Sequence, residues 1–177
     1  MRSHSINILL RDVLLSAMII LASFVVIEKT SKFEESRTGN LMAEIQWPDG
    51  DVDMDLWVKS PDDMTVGYSR KNGKTVNLLR DDLGNSGDTL RLNYENSFSR
   101  GLPDGIWIVG IHGYRANSPT PVTVRVVVRN QSGAQTWTHT RDIEVNPRQE
   151  VTAMRLHIEG GVVRNFDTIQ ERIAPFD

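Results

Sequence analysis

The chain has 177 residues, a formal net charge of -3 and no cysteine. That length suits one domain of ordinary size with appendages. There is no basic excess to hold a phosphate backbone, so nucleic acid is not an expected partner. The lack of cysteine excludes disulfides, thiolate metal sites and a cysteine nucleophile.

The first element is apolar. Val13 to Ile27 reads VLLSAMIILASFVVI, without a charge. As a helix these residues rise roughly 22 Å, short of the roughly 30 Å hydrocarbon core. Ile6 to Leu10 continues the apolar run upstream, broken by Arg11 and Asp12, so Ile6 to Ile27 spans about 33 Å. A cleaved signal peptide would need small residues three and one before the cut, and no such pattern follows the run. The sequence therefore predicts that residues 1–27 are a short tail followed by a retained transmembrane helix. Basic residues flank both ends and do not decide orientation. The short tail and the following domain favour a cytoplasmic N-terminus, which in a bacterium means an inner-membrane anchor and a periplasmic C-terminal domain.

At about 100° per residue, Ser16 and Ser23 fall on the same helix face as Asp12. Small and hydroxylic residues on one face suit helix–helix contacts in a membrane. An intramembrane carboxylate is a candidate functional residue by default. The alternative is an Asp12 that sits at headgroup level and favours the helix N-terminus.

The run Arg11 to Met18 (RDVLLSAM), at the head of a short apolar helix that precedes a large soluble domain, resembles the MotB/ExbD/TolR class of ion-driven stator subunits. In that class the aspartate takes and releases the coupling ion. The resemblance implies that Asp12 carries the ion, that this chain is a homodimer, and that its partner is a polytopic MotA/ExbB/TolQ-like pentamer. No OmpA-like peptidoglycan-binding domain follows, so the driven load is not indicated.

Residues 28–40 (EKTSKFEESRTGN) read as a solvated linker. From Leu41 the period changes to two, and a β-sandwich domain is expected over 41–161. Met42 to Trp47 is a strand stopped by Pro48-Asp49-Gly50. Asp51 to Val58 alternates, with Asp51, Asp53, Asp55 and Trp57 on one face and Val52, Met54, Leu56 and Val58 on the other. Further strands are expected at Met64 to Tyr68, Thr75 to Leu79, Thr89 to Tyr94, Gly105 to Tyr114, Pro121 to Arg129, Ala134 to Glu144 and Glu150 to Ile158. The fold class is thus mainly β: one transmembrane helix, then an antiparallel sandwich of about eight or nine strands. Residues 162–177 read as a tail holding one strand or a short helix over Thr168 to Ile173.

Within this domain Asp53, Asp55, Leu56, Val58 and Pro61 form a D-x-D-L-x-V-x-x-P segment. Asp81-Asp82-Leu83-Gly84, Gly105 to Val109 and Pro121 to Val124 follow in order. That succession is similar to the YfaP-like bacterial extracytoplasmic sandwich domains. The resemblance implies a binding or structural module and no reaction.

The candidate chemistry is acidic. Neighbouring carboxylates among Asp51, Asp53 and Asp55 stand about 7 Å apart on a strand, too far for one ion to take all three at about 2.3–2.6 Å. Two of them with Asp81, Asp82 or Asn85 would make an oxygen cage for Ca²⁺. An EF-hand is not the model for it, because Leu56 stands where that loop needs glycine. The competing role is acceptance of backbone and arginine hydrogen bonds, with Arg80 a ready partner. His4, His112, His139 and His157 are scattered, and no hydrolase, metalloprotease or phosphate-loop motif occurs, so an enzyme is not expected. Trp47, Trp57, Trp107 and Trp137 lie in strands, as core or as a stacking surface for a cell-wall glycan. The function expected is a stator-like membrane subunit with the sandwich as anchor or effector. The alternative is a membrane-tethered module that binds glycan, calcium or protein.

Overall fold

In a computed structural model the described residues are 39–84 and 92–175, together with Ser16 and Met18. The chain divides into two units, Met1–Arg37 and Thr38–Asp177. In the first, Ser16 and Met18 are helical and exposed. The rest of the expected transmembrane segment, including Asp12 and Ser23, and linker residues 28–38 lie outside the described residues. Among the described residues no helix is long and apolar enough to cross a membrane.

The second unit is two antiparallel sheets. The strands are β1 (Leu41–Gln46), β2 (Asp53–Lys59), β3 (Val76–Arg80), β4 (Tyr94–Ser99), β5 (Gly105–Arg115), β6 (Thr120–Arg129), β7 (Gln135–Val145), β8 (Glu150–Glu159) and β9 (Val162–Asp167). One sheet runs β3-β4-β1-β6-β7 and the other β2-β5-β8-β9.

The core lies between the sheets and follows the alternation. Val122, Val124, Val126 and Val128 of β6 are buried, while Pro121, Thr123 and Arg125 are exposed. Leu41, Ala43 and Ile45 of β1 meet Met54, Leu56 and Val58 of β2, with Trp107, Val109 and Ile111 of β5 in the same cluster. Each fully buried large apolar side chain contributes about 1.5–3 kcal/mol.

Four segments depart from the sequence reading. The strand expected at Thr89 to Tyr94 is found at Tyr94–Ser99, and residues 85–91 lie outside the described residues. The inward-facing residues of β4 are Glu95, Ser97 and Ser99, so an apolar period could not locate it. Met64 to Tyr68 is not a ladder strand; Val66 makes a bridge to Val58, and Gly67 makes one to Arg70. Asp51 precedes β2 and lies outside the ladder. Finally, residues 162–167 form β9, while 168–173 hold no helix.

That last segment is an extended strap over the outer face of the four-stranded sheet. Glu171 N donates to Thr152 Oγ1 at 2.8 Å, and Ile173 N donates to Glu150 Oε1 at 2.6 Å. Ile173 packs with Trp57 and Ile108 in a second apolar cluster. Gly110 permits the contact, since a β-carbon there would stand 3.3 Å from Ile173. Both faces of β2 are therefore covered, one by the core and one by the strap.

Candidate acidic site

Among the described residues β2 pairs with β5 on one side and has no ladder strand on the other. Val66 pairs with Val58 through two backbone hydrogen bonds of 2.8 and 2.9 Å. Two residues earlier a side chain does the same job. Glu95, pointing inward from β4, accepts the Leu56 N–H on Oε2 at 2.7 Å and the Asp82 N–H on Oε1 at 3.1 Å. It joins β4, β2 and the segment after β3 at a single carboxylate, 1% exposed.

Around Glu95 the acids converge. One carboxylate oxygen each from Asp55, Asp81 and Glu95 lies within 4.8 Å of the others. Asp55 is buried and also holds His112, with Oδ2 3.2 Å from Nδ1. Asp81 pairs with Lys71 through Oδ2 at 2.8 Å, and among the described residues its buried Oδ1 accepts no hydrogen bond. Asp53 is 3% exposed, and its Oδ1 is likewise buried without a hydrogen-bond partner. Buried polar atoms left unpartnered are rare in folded proteins and call for a physical reason.

The electrostatics agree. Burial first, then the negative charge of Asp55, pushes the Asp53 carboxyl up to about 6. Burial raises Asp55 against the opposing hydrogen bond from His112. Burial raises Glu95 well above the usual carboxylate range, although the Leu56 and Asp82 N–H groups favour its anion. Close carboxylates in a low-dielectric setting hold protons or a cation.

Of the five aspartates read from the sequence as calcium candidates, the fold joins Asp55 and Asp81 and sets Asp53 beside them. Asp51 is exposed and lies 2.9 Å from Arg115 Nη2. Asp82 is a structural anchor: Oδ2 takes Arg80 Nη2 at 2.8 Å and the Tyr94 N–H at 3.1 Å, and Oδ1 takes the Gly84 N–H at 3.0 Å. That is the arginine and backbone role weighed as the alternative. The acid that sequence reasoning missed is Glu95. Its only local signal is a charged residue in an inward register position of a strand. Of the four tryptophans, Trp47, Trp57 and Trp107 are buried, and Trp137 is partly buried against His139 and Phe166.

The chain matches no family model, no curated protein and no solved structure with which it was compared.

Proposed function

We propose that this chain is a membrane-tethered binding module whose sandwich takes a divalent cation, Ca²⁺, at Asp55, Asp81 and Glu95, with Asp53 as a neighbouring charge. One observation carries the reading: three carboxylate oxygens from three separate segments lie within 4.8 Å of one another. Oxygens bound to one Ca²⁺ at about 2.4 Å cannot lie more than about 4.8 Å apart, so the spacing fits a single ion. The buried Oδ1 atoms of Asp53 and Asp81 meet no donor among the described residues, which leaves them open to a cation. The donor set is all oxygen, which suits a hard cation better than zinc or copper. The cation would neutralise acids that burial otherwise forces to hold protons.

The test is thermal unfolding of the full-length chain after EDTA treatment and after CaCl₂ is restored. A ligand that binds only the folded state raises the unfolding temperature. Unchanged unfolding at millimolar calcium would remove the cation from the account.

A second reading rests on a different residue. In the sequence Asp12 heads the apolar run, and at the helical period Ser16 and Ser23 would share its face; this supports a stator-like subunit seated as a dimer inside a polytopic pentamer. In that reading Asp12 exchanges the coupling ion and the sandwich is the periplasmic anchor or effector. Purification of the tagged chain in mild detergent tests it, with mass spectrometry of what accompanies it. A stoichiometric multi-helix partner supports it, and a lone monomer or dimer overturns it.

A further inference from the structure

Beyond the acidic edge, the four-stranded sheet ends in a groove of about 980 Å³. His112, Tyr114 and Arg115 of β5 line it, with Arg148 from the β7–β8 turn, Glu150 of β8 and Arg172 of the strap. Three guanidinium groups thus border one concavity. The single carboxylate among these residues is already engaged. Glu150 Oε1 accepts the N–H groups of Ile173 and Ala174 at 2.6 and 3.0 Å, and Oε2 lies 3.6 Å from Arg172 Nε. Two further acids lie against lining residues: Asp51 on Arg115 and Asp55 on His112 Nδ1. The ring nitrogen of His112 left for a ligand is therefore Nε2.

Arg148 supplies an independent observation. Its φ is 60°, and among the described residues it is the one non-glycine residue with positive φ. It follows Pro147 in the turn closed by Gln149 N–H donating to Asn146 O at 3.1 Å. A turn with proline second and a left-handed third residue favours glycine or asparagine there. A β-carbon in that conformation is strained, and such strain gathers at binding sites. The turn is also pinned to β5: Arg148 N–H donates to Gly113 O at 2.7 Å, and Gly113 N–H donates to Gln149 O at 3.0 Å. An exposed guanidinium, with no ion pair among the described residues, is held at the groove rim on a fixed backbone.

The geometry points to a binding site for a sugar that bears an oxyanion, a carboxylate or a phosphate. Arginine forks match both oxyanions and form strong charge-assisted hydrogen bonds. Tyr114, 56% exposed beside His112 and Tyr68, offers a ring face to the apolar side of the sugar. The groove needs no cation for its ligand, although its His112 touches the cation ligand Asp55.

The test titrates the full-length protein in non-ionic detergent with EDTA present, so that the cation site does not contribute. The probes are glucuronate, glucose 6-phosphate, inorganic phosphate and glucose, followed by calorimetry. At least one charged sugar binds about tenfold or more tighter than glucose, and the tighter of the two names the oxyanion. Arg148→Gly weakens that sugar about tenfold while raising the unfolding temperature, because it relieves the left-handed strain. A loss of binding in a more stable protein is not a folding defect. Tyr114→Ala weakens the charged sugar and leaves inorganic phosphate unchanged. Charged sugars that bind no tighter than glucose, or an Arg148→Gly protein that binds them unchanged, would overturn the proposal.

Discussion

Glu95 Oε2 accepts the backbone N–H of Leu56 at 2.7 Å, so a side chain from the five-stranded sheet satisfies an edge donor of the other sheet. The same carboxylate takes the N–H of Asp82. Replacing it by alanine leaves two buried donors unsatisfied, each costing about 1–3 kcal/mol. Glu95→Ala therefore lowers the urea midpoint substantially, with an unfolding free energy smaller by about 3 kcal/mol. A midpoint within experimental error of wild type would mean that water takes over both bonds at no cost.

This residue also marks where the sequence stops being informative. The Val122 to Val128 alternation and the Asp53 to Val58 strand are legible because apolar side chains repeat every second residue. β4 has the same geometry, but its inward positions are Glu95, Ser97 and Ser99, and apolar periodicity is blind to them. Asp55 and Asp81 stand out as acids in the sequence, yet their meeting with Glu95 depends on how the two sheets are stacked. The strap is hidden for a similar reason, since Ile173 finds Trp57 only once the outer face of β2 exists.

The pH dependence of stability follows from Asp53. Its carboxyl is raised from 3.8 to about 6 in the folded chain, so the folded state binds the proton more tightly than the unfolded one. Protonation then favours folding, and that contribution is lost as pH rises from 3.8 through about 6. The EDTA-treated protein should unfold at a lower temperature at about pH 7 than at about pH 5, the slope set by proton uptake. Saturating Ca²⁺ should flatten the slope. Asp53→Asn should reduce it without calcium, leaving the part due to Asp55 and Glu95. A wild-type slope of opposite sign in EDTA would show that Asp53 is ionised at low cost.

Packing on the outer face gives a third expectation. A β-carbon at Gly67 would collide with Cε3 and Cζ3 of the Trp57 ring. Trp57 is fully buried, with Tyr68 at a ring-centroid distance of 5.4 Å. Gly67→Ala should destabilise the domain by about 1–3 kcal/mol through overpacking. Chemical denaturation and a shift in tryptophan fluorescence would register it.

For the proposed membrane segment, the substitution that separates the two functions is Asp12→Asn. If Asp12 exchanges an ion, the variant accumulates to normal levels and loses the cellular activity of the chain. If the helix only tethers, the variant behaves as wild type in immunoblots and in activity alike.

The most direct test of the central claim is a calorimetric titration of the full-length chain with Ca²⁺, wild type against Asp81→Asn. Asp81 is partly exposed and bonded to Lys71, so the substitution removes a ligand charge without opening the core. Wild type should show one saturable site per sandwich, with binding that weakens as pH falls toward 5, and the variant should bind at least about tenfold more weakly. No heat of binding in wild type, or equal affinity in the two proteins, would contradict the claim.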